Sequence, residues 1–345
     1  MKYKLYTTSK KAWRGMINEI KKARKFIYIE MYIFIGDTSE SHDFFSVLKE
    51  RASAGVEVVV VADSLGSSDL KNSVVKDLRS SGVEFLFFSH WLRRTHRKIL
   101  VIDGRVSFLG GVNIKKHMMN WIDIQVRIIS PMMAKNIIRS FAYTYQMSGG
   151  KKEHILQKRK VSVFKTIRSQ FLEHFPNNNI YSLETKYQEK MISAKKKIVI
   201  VTPYFTPPRW LMALFETVID NGVKVEIFIP QNTDVKFLNR VNRAYINKLS
   251  YLGIDFYYQS KMNHAKILVI DDEEALVGSQ NLDVIFFRMN LESGIFIKNK
   301  QFLKELDEVI DGWRRGAVKF VGDKSKISFF DKIILAVIKV FYSML

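Results

Sequence analysis

The sequence predicts an α/β protein built as a tandem duplication. Three observations carry that expectation. Apolar, strand-like runs alternate with helix-like stretches along most of the chain. A motif occurs twice, as HRKILVIDGRVSFLGGVNI from His96 and HAKILVIDDEEALVGSQNL from His264, with five matching positions separated by a constant 168 residues. The segments before the motif also align in order: AGVEVVVVAD with NGVKVEIFIP, and SGVEFLFF with LGIDFYYQ.

The first half reads as follows. Trp13, Met16, Ile17, Ile20 and Ala23 have helical spacing over 10–25, and KFIYIEMYIF (25–34) is apolar enough for a central strand. Residues 39–53 form a helix ending near Ala54-Gly55, VEVVVVAD (56–63) a second buried strand, and 64–69 a loop before a helix reaching Ser81. VEFLFF (83–88) is a third strand, RKILVID and RVSFLGG a hairpin-like pair, 121–129 another strand and 131–147 a helix. The second half repeats this order. Helices at 186–195, 209–220 and 236–251 lead into strands at 196–205, 223–230 and 254–259, and then comes the His264 strand. The organisation expected is a first domain at 1–150, a linker region at 151–185, a second domain at 186–325 and an amphipathic tail at 326–345.

Charge narrows the partners. The chain has 345 residues, 47% of them hydrophobic, and 55 Lys and Arg against 34 Asp and Glu, a formal charge of +21. A polyanionic partner is implied, either nucleic acid or an anionic membrane. The absence of cysteine excludes disulfides and thiolate metal sites. The start, MKYKLYTTSKKAWRGM, lacks the apolar core of a secretory signal. No run approaches the roughly 18 apolar residues of a spanning helix, so membrane attachment is expected to be peripheral.

The motif suggests its chemistry. On a strand, His-x-Lys places both side chains on one face. Imidazole and ammonium side by side suit a phosphoryl group: Lys holds a non-bridging oxygen, while His attacks phosphorus or protonates a leaving oxygen. The repeated His96, Lys98, Asp103 and His264, Lys266, Asp271 are the candidate catalytic set. Parity sets Asp103 and Asp271 apart, because seven residues beyond the His they face the opposite side of a regular strand and read as strand-end carboxylates. Asp123, 27 residues after His96, and Glu292, 28 after His264, are the expected partners of the imidazoles.

These residues resemble the phospholipase D superfamily, and within it the bacterial cardiolipin synthases, particularly the short type without N-terminal membrane spans. IEMYIF, RTHRKILVIDG, TPYFTPP and GSQNLDVIFFRMNLE fall in that family's order, over roughly 3–300. The resemblance implies two αβαβα domains related by a pseudo-twofold, with the active site between them. It also implies a covalent phosphatidyl-histidine and no metal or organic cofactor. Asn113, Ser279 and Asn281 then bind substrate phosphate or order the site, together with Asp123 and Glu292. The implied substrate is phosphatidylglycerol, the partner an anionic phospholipid membrane, and the place the cytoplasmic face of the cell membrane. Two departures from the family's pattern are Gly111, where many members have Ser, and Asp123 in place of Glu.

Competing readings stand beside these. A nuclease or phosphodiesterase of the same superfamily would use the same charge on nucleic acid, and a phospholipase would use the same first step. A catalytically dead scaffold conflicts with two intact His-Lys pairs. TPYFTPPRW is either a rigid loop or an aromatic lining for acyl chains, with Tyr204 and Phe205 flanking the pocket. WLRRTHRK is either a solvated basic loop or a headgroup contact. The tail 328–345, with Lys332, Ala336, Lys339 and Ser343 on one stripe, is either packed on the protein's core or lies in a membrane interface.

Overall fold

The computed structural model describes residues 1–91, 93–160, 169–176, 180–321, 332–336 and 338. The first half runs β1 (Lys2–Thr8), α1 (Ser9–Ile20), β2 (Phe26–Met31), α2 (Phe44–Ser53), β3 (Glu57–Asp63), α3 (Asn72–Ser80), β4 (Glu84–Phe88), β5 (Lys98–Ile102), β6 (Val106–Gly110), β7 (Ile122–Ile129) and α4 (Pro131–Met147), with a short α5 (Glu153–Leu156). The second half runs β8 (Ser169–Phe175), β9 (Ile180–Tyr181), α6 (Ser182–Ile192), β10 (Lys197–Val201), β11 (Phe205–Thr206), α7 (Arg209–Asp220), β12 (Lys224–Pro230), α8 (Lys236–Leu249), β13 (Asp255–Gln259), β14 (Ile267–Ile270), β15 (Glu274–Gly278), β16 (Leu282–Asp283), α9 (Val284–Met289), β17 (Glu292–Ile297), α10 (Lys300–Arg315) and β18 (Ala317–Lys319).

The two large sheets share one topology. The first is ordered β1-β7-β6-β5-β2-β3-β4, and the second contains β13-β12-β10-β14-β15-β17-β8, with β18 and β9 at its edges. In each, three parallel strands meet an antiparallel hairpin: β2 pairs parallel with β3 and antiparallel with β5, as β10 does with β12 and β14. The runs FIYIEM and EVVVVAD are almost wholly buried, as strands covered on both faces must be. The duplication reaches further than the sequence predicts. β8, inside the stretch read as a linker, pairs antiparallel with β17 just as β1 pairs with β7. Each repeat therefore opens with a strand that sequence reading missed. α10 was missed as well.

Three apolar cores separate the layers. One lies on the outer side of the first sheet against α1–α3, with Trp13, Phe34, Leu48, Leu78 and Phe108. Another lies outside the second sheet, with Phe205, Phe215, Val218, Ile246 and Phe256. The third joins the halves. It contains Val59, Val101 and Val126 from one sheet, Val199, Val269 and Val277 from the other, and side chains of α4 and α10. Of the tail, 322–331, 337 and 339–345 lie outside the described residues. Ile338 is buried in the outer core of the second half, and Ile334 and Leu335 pack against it. Among the described residues no helix is long and apolar enough to cross a membrane.

One polar group crosses the central core. Arg97, between the motif's His and Lys, points to the opposite face by strand alternation and is fully buried. Its Nε donates to Glu30 Oε1 at 2.9 Å and its second guanidinium nitrogen lies 2.7 Å from Glu30 Oε2. Ser140 and Thr144 of α4 also accept from its guanidinium, which lies 4.9 Å from the Phe175 ring centroid of β8. Glu30 in turn accepts from the Thr95 hydroxyl. Breaking a buried pair leaves an uncompensated charge, at a cost of about 3–5 kcal/mol. Arg97→Ala is therefore expected to lose stability of that order in urea unfolding, and adding Glu30→Leu should restore most of it. An unchanged midpoint for Arg97→Ala would mean the pair is solvated.

Candidate active site

Each motif histidine sits just before a hairpin strand, where the chain leaves one sheet and touches the other. Four backbone hydrogen bonds stitch the halves at these points. His96 N donates to Leu291 O at 2.9 Å and Leu291 N to Arg94 O at 2.9 Å, while His264 N donates to Ile122 O at 2.7 Å and Ile122 N to Met262 O at 3.1 Å. Thr95 thus bridges Leu291 and Ile122 bridges Asn263, both in parallel sense. The two bridges are related by the duplication: each joins the residue before a motif histidine to the residue before the other half's acid.

That stitching exchanges the acids. Sequence distance assigns Asp123 and Glu292 to the histidines of their own halves. Instead, Asp123 Oδ2 lies 2.9 Å from His264 Nδ1, and Glu292 Oε1 lies 2.9 Å from His96 Nδ1. The reason is geometric: the strand carrying each acid runs beside the other half's histidine loop. Each pair occupies Nδ1, so both Nε2 atoms are the ones left for chemistry.

Asp103 and Asp271, placed in the candidate catalytic set, are elsewhere. Asp103 accepts from the backbone of Arg24, Lys25 and Phe26 at 2.8–3.0 Å, and Asp271 from Lys195, Lys196 and Lys197 at 2.8–2.9 Å. Both have left-handed φ, 51° and 53°, at the far end of the hairpin. They tie that turn to the start of β2 or β10, as the parity of seven requires, and are too remote to serve the imidazoles.

The remaining groups are closely packed. His96, Lys98, His264 and Lys266 are all buried. Each lysine donates to the carbonyl of its own histidine, which fixes its ammonium beside the imidazole. Burial pushes His96 well below the ordinary histidine range, with Lys98, Lys266 and His264 adding to the effect. Burial also lowers His264, but there Asp123 opposes it. Lys98 is lowered well below its usual value, and Lys266 to about 7, both chiefly by burial. Burial raises Glu292 to about 7 against the pull of Lys98 and a hydrogen bond from Ser279.

The two departures in the first copy are one feature. A Cβ on Gly111 would stand 2.3 Å from Asp123 Oδ1, so the place of a serine side chain is already taken by the aspartate. In the second copy Ser279 fills that place and its hydroxyl donates to Glu292. A shorter acid with a glycine and a longer acid with a serine occupy equivalent space. Asn281 is fully buried, and among the described residues neither atom of its amide has a hydrogen-bond partner; nor has the Asn113 Oδ1. Buried amides without partners are ready to bind a polar ligand.

Sequence reading missed several neighbours. Tyr32 packs edge-on to His96 at 4.7 Å between ring centroids, with Lys98 Nζ 5.1 Å from its centroid. Trp121 lies 5.4 Å from His264. His174 of β8 stands opposite Glu292 in the ladder and is buried. IEMYIF and the WID stretch held the signal for Tyr32 and Trp121; nothing marked His174. Tyr204 faces His264 at 6.5 Å, and its hydroxyl donates to Asp234 at 2.5 Å. Phe205, expected beside it at the pocket, is a core residue packed on Phe215 and Phe256, because the next residue on a strand points to the other side. Among the described residues no group of three or more His, Asp or Glu side chains could hold a metal ion.

Two α/β units meeting over one buried His-Lys pair from each define a phospholipase D-like protein. The family model described as cardiolipin synthase, PLD-like domain, matches residues 16–145 and again 187–313. A cardiolipin synthase of Clostridium perfringens is 32% identical over 327 residues, 88% of this chain and 68% of that protein. The minor cardiolipin synthase ClsB of Bacillus subtilis is 27% identical, over 91% of this chain and 82% of its own. The solved phosphatidylserine synthase of Haemophilus influenzae superposes with a TM-score of 0.75 at 16% identity, covering 99% of this chain and 93% of that one; at that identity the likeness is one of fold. The chain belongs to the cardiolipin synthase family of phospholipase D-like proteins. It is a phosphatidyltransferase of the phospholipase D type.

Burial of Glu292 makes a test available. Its folded-state value of about 7 lies above the ordinary carboxylate value of 4.5. Its contribution to stability is therefore complete below about 4.5 and is lost as pH rises through about 7. Glu292→Gln carries no charge and is expected to be more stable than the parent at pH 8 by roughly 1–3 kcal/mol, since each tenfold change in proton affinity is worth about 1.4 kcal/mol. The difference should vanish toward pH 5, while activity falls at both. Equal melting differences at the two pH values would refute the assignment.

Proposed function

We propose that the enzyme forms cardiolipin from phosphatidylglycerol and a second phospholipid through a covalent phosphatidyl-histidine. The observation that carries this reading is the pair of imidazoles with differing electrostatics in one buried site. His96 is held neutral chiefly by burial, with Lys98, Lys266 and His264 adding to the effect, and its Nδ1 is turned to Glu292. Its Nε2 lone pair is therefore the nucleophile. Burial lowers His264 as well, but Asp123 at its Nδ1 opposes that effect, so of the two imidazoles it is the better placed to carry the proton and act as the acid.

In the first step His96 Nε2 attacks phosphorus, the bond from phosphorus to the headgroup oxygen breaks, and His264 gives its proton to the departing glycerol. In the second, neutral His264 takes the proton of a lipid hydroxyl. That oxygen attacks the phosphohistidine and His96 leaves as it began. Lys98 and Lys266 hold the non-bridging oxygens, with Asn113 and Asn281 completing the cradle and Ser279 ordering Glu292. Transfer must win over hydrolysis by ~55 M water, and a positioned acceptor can reach effective molarities of ~10⁵–10⁸ M. A site this buried supports that preference.

His264→Ala should lower cardiolipin formation from phosphatidylglycerol vesicles by ~10²–10⁴-fold, and His96→Ala by at least as much. Acid quench with a donor labelled in the phosphate should leave label on His96. Label on His264 would reverse the roles. Release of phosphatidic acid without cardiolipin would make the enzyme a hydrolase.

A further inference from the structure

Loops flank the mouth of the site on two sides, and they carry an unusual share of exposed apolar surface. One side is formed by the adjacent loops after β3 and after β4, which hold Leu65 and Trp91. The other follows β12 into α8 and holds Val235 and Phe237. Of eleven large apolar side chains exposed among the described residues, these four lie on the two sides, and Trp91 at 87% and Phe237 at 62% are among the most exposed of them. Lone exposed apolar residues are ordinary. Here Leu65 after β3 and Val235 after β12 lie at corresponding strand ends of the two halves, with Trp91 beside the first and Phe237 beside the second.

Both sides reach the catalytic groups. β3 and β4 end side by side, Asp63 opposite Phe88, so the loops leaving them share one rim. Arg94, from the first side, and Asp234, from the second, both act on the Tyr32 hydroxyl, and the Tyr32 ring lies against His96. Asp234 also holds the hydroxyl of Tyr204, which faces His264. The rim is therefore the lip of the site. Beside the apolar tips stand cations: Arg93 and Arg94 after Trp91, and Lys236 between Val235 and Phe237.

We propose that the protein docks on an anionic bilayer through this rim, with Trp91 and Phe237 seated among the lipids on either side of the mouth and Arg93 and Lys236 at headgroup level. An indole suits the interface between water and lipid. Apolar tips interleaved with basic groups match an anionic lipid surface in both respects. The arrangement also answers a mechanical need. The histidines are buried, so a phosphodiester anchored in a membrane can reach them only if the mouth faces that membrane. The inference rests on the phosphatidyl-transfer reading for that last step, while the exposed rim stands without it. It places the contact at the active-site lip; of the tail, Ile334, Leu335 and Ile338 pack on the core of the second half.

The test uses the full chain and vesicles of phosphatidylglycerol and phosphatidylcholine, with bromine on the acyl chains of the latter. Brominated lipid should quench a large part of the intrinsic tryptophan fluorescence, and Trp91→Phe should remove most of that quenching while vesicle binding persists. The double variant Trp91→Ser, Phe237→Ser should bind vesicles at least tenfold more weakly, and lose cardiolipin formation on vesicles in proportion. Its activity on detergent-dispersed phosphatidylglycerol should stay within about twofold of the parent. Undiminished quenching in Trp91→Phe would overturn the proposal, even if the double variant fails to fold. So would unchanged vesicle affinity in a folded double variant, or binding of the parent to nucleic acid but not to vesicles. Parent protein that docks through Trp91 yet makes no cardiolipin would sink the transfer reading and leave the docking surface in place.

Discussion

The structure depends on a reciprocal backbone bridge. The residue before each motif histidine pairs with the residue before the other half's acid, Thr95 with Leu291 and Asn263 with Ile122. Backbone hydrogen bonds fix strands to a few tenths of an ångström, and here they fix two domains to each other at the one place where geometry matters most. Neither half contains a complete histidine–acid pair. The halves must associate before the site exists, and they pack together through the shared core of valines, α4 and α10.

The bridge buries two lysines, two histidines and two acids together. Such a cluster is costly to fold, because each charge loses its hydration. The shifts reflect that cost: the lysines and histidines are lowered and Glu292 is raised. Functional sites commonly concentrate strain of this kind. A phosphodiester entering the cluster brings negative charge to cations that have lost their water, so substrate and site relieve one another. The hydrophobic layers outside supply the stability that the cluster consumes.

The duplicated halves differ where their roles would differ. One has Gly111 with Asp123, the other Ser279 with Glu292, and steric fit binds each pair of choices together. Behind His96 lies the buried Glu30–Arg97 pair, whereas the corresponding positions of the second half are Val201 and Ala265. His96 is thus held by a polar network on its far side and His264 by apolar packing. A twofold frame carries two unlike histidines.

Much of this was legible in one dimension. The constant spacing of the two motifs gave the duplication, and apolar runs gave the central strands, because burial on both faces leaves an unmistakable composition. Parity alone turned Asp103 and Asp271 away from the histidines, since alternation along a strand is a local property of the chain. β1 and β8 escaped notice because strands such as KYKLYTT and SQFLEHF mix polar and apolar residues without a clear period. Other features were decided only by the tertiary structure: the exchange of Asp123 and Glu292 between the halves, the arrival of His174 opposite Glu292, and the retreat of Phe205 into the core. Each depends on which strand lies beside which across a domain boundary. Sequence spacing records distance along the chain, while the histidine–acid contacts are made between residues 141 and 196 positions apart, joined only when two sheets meet.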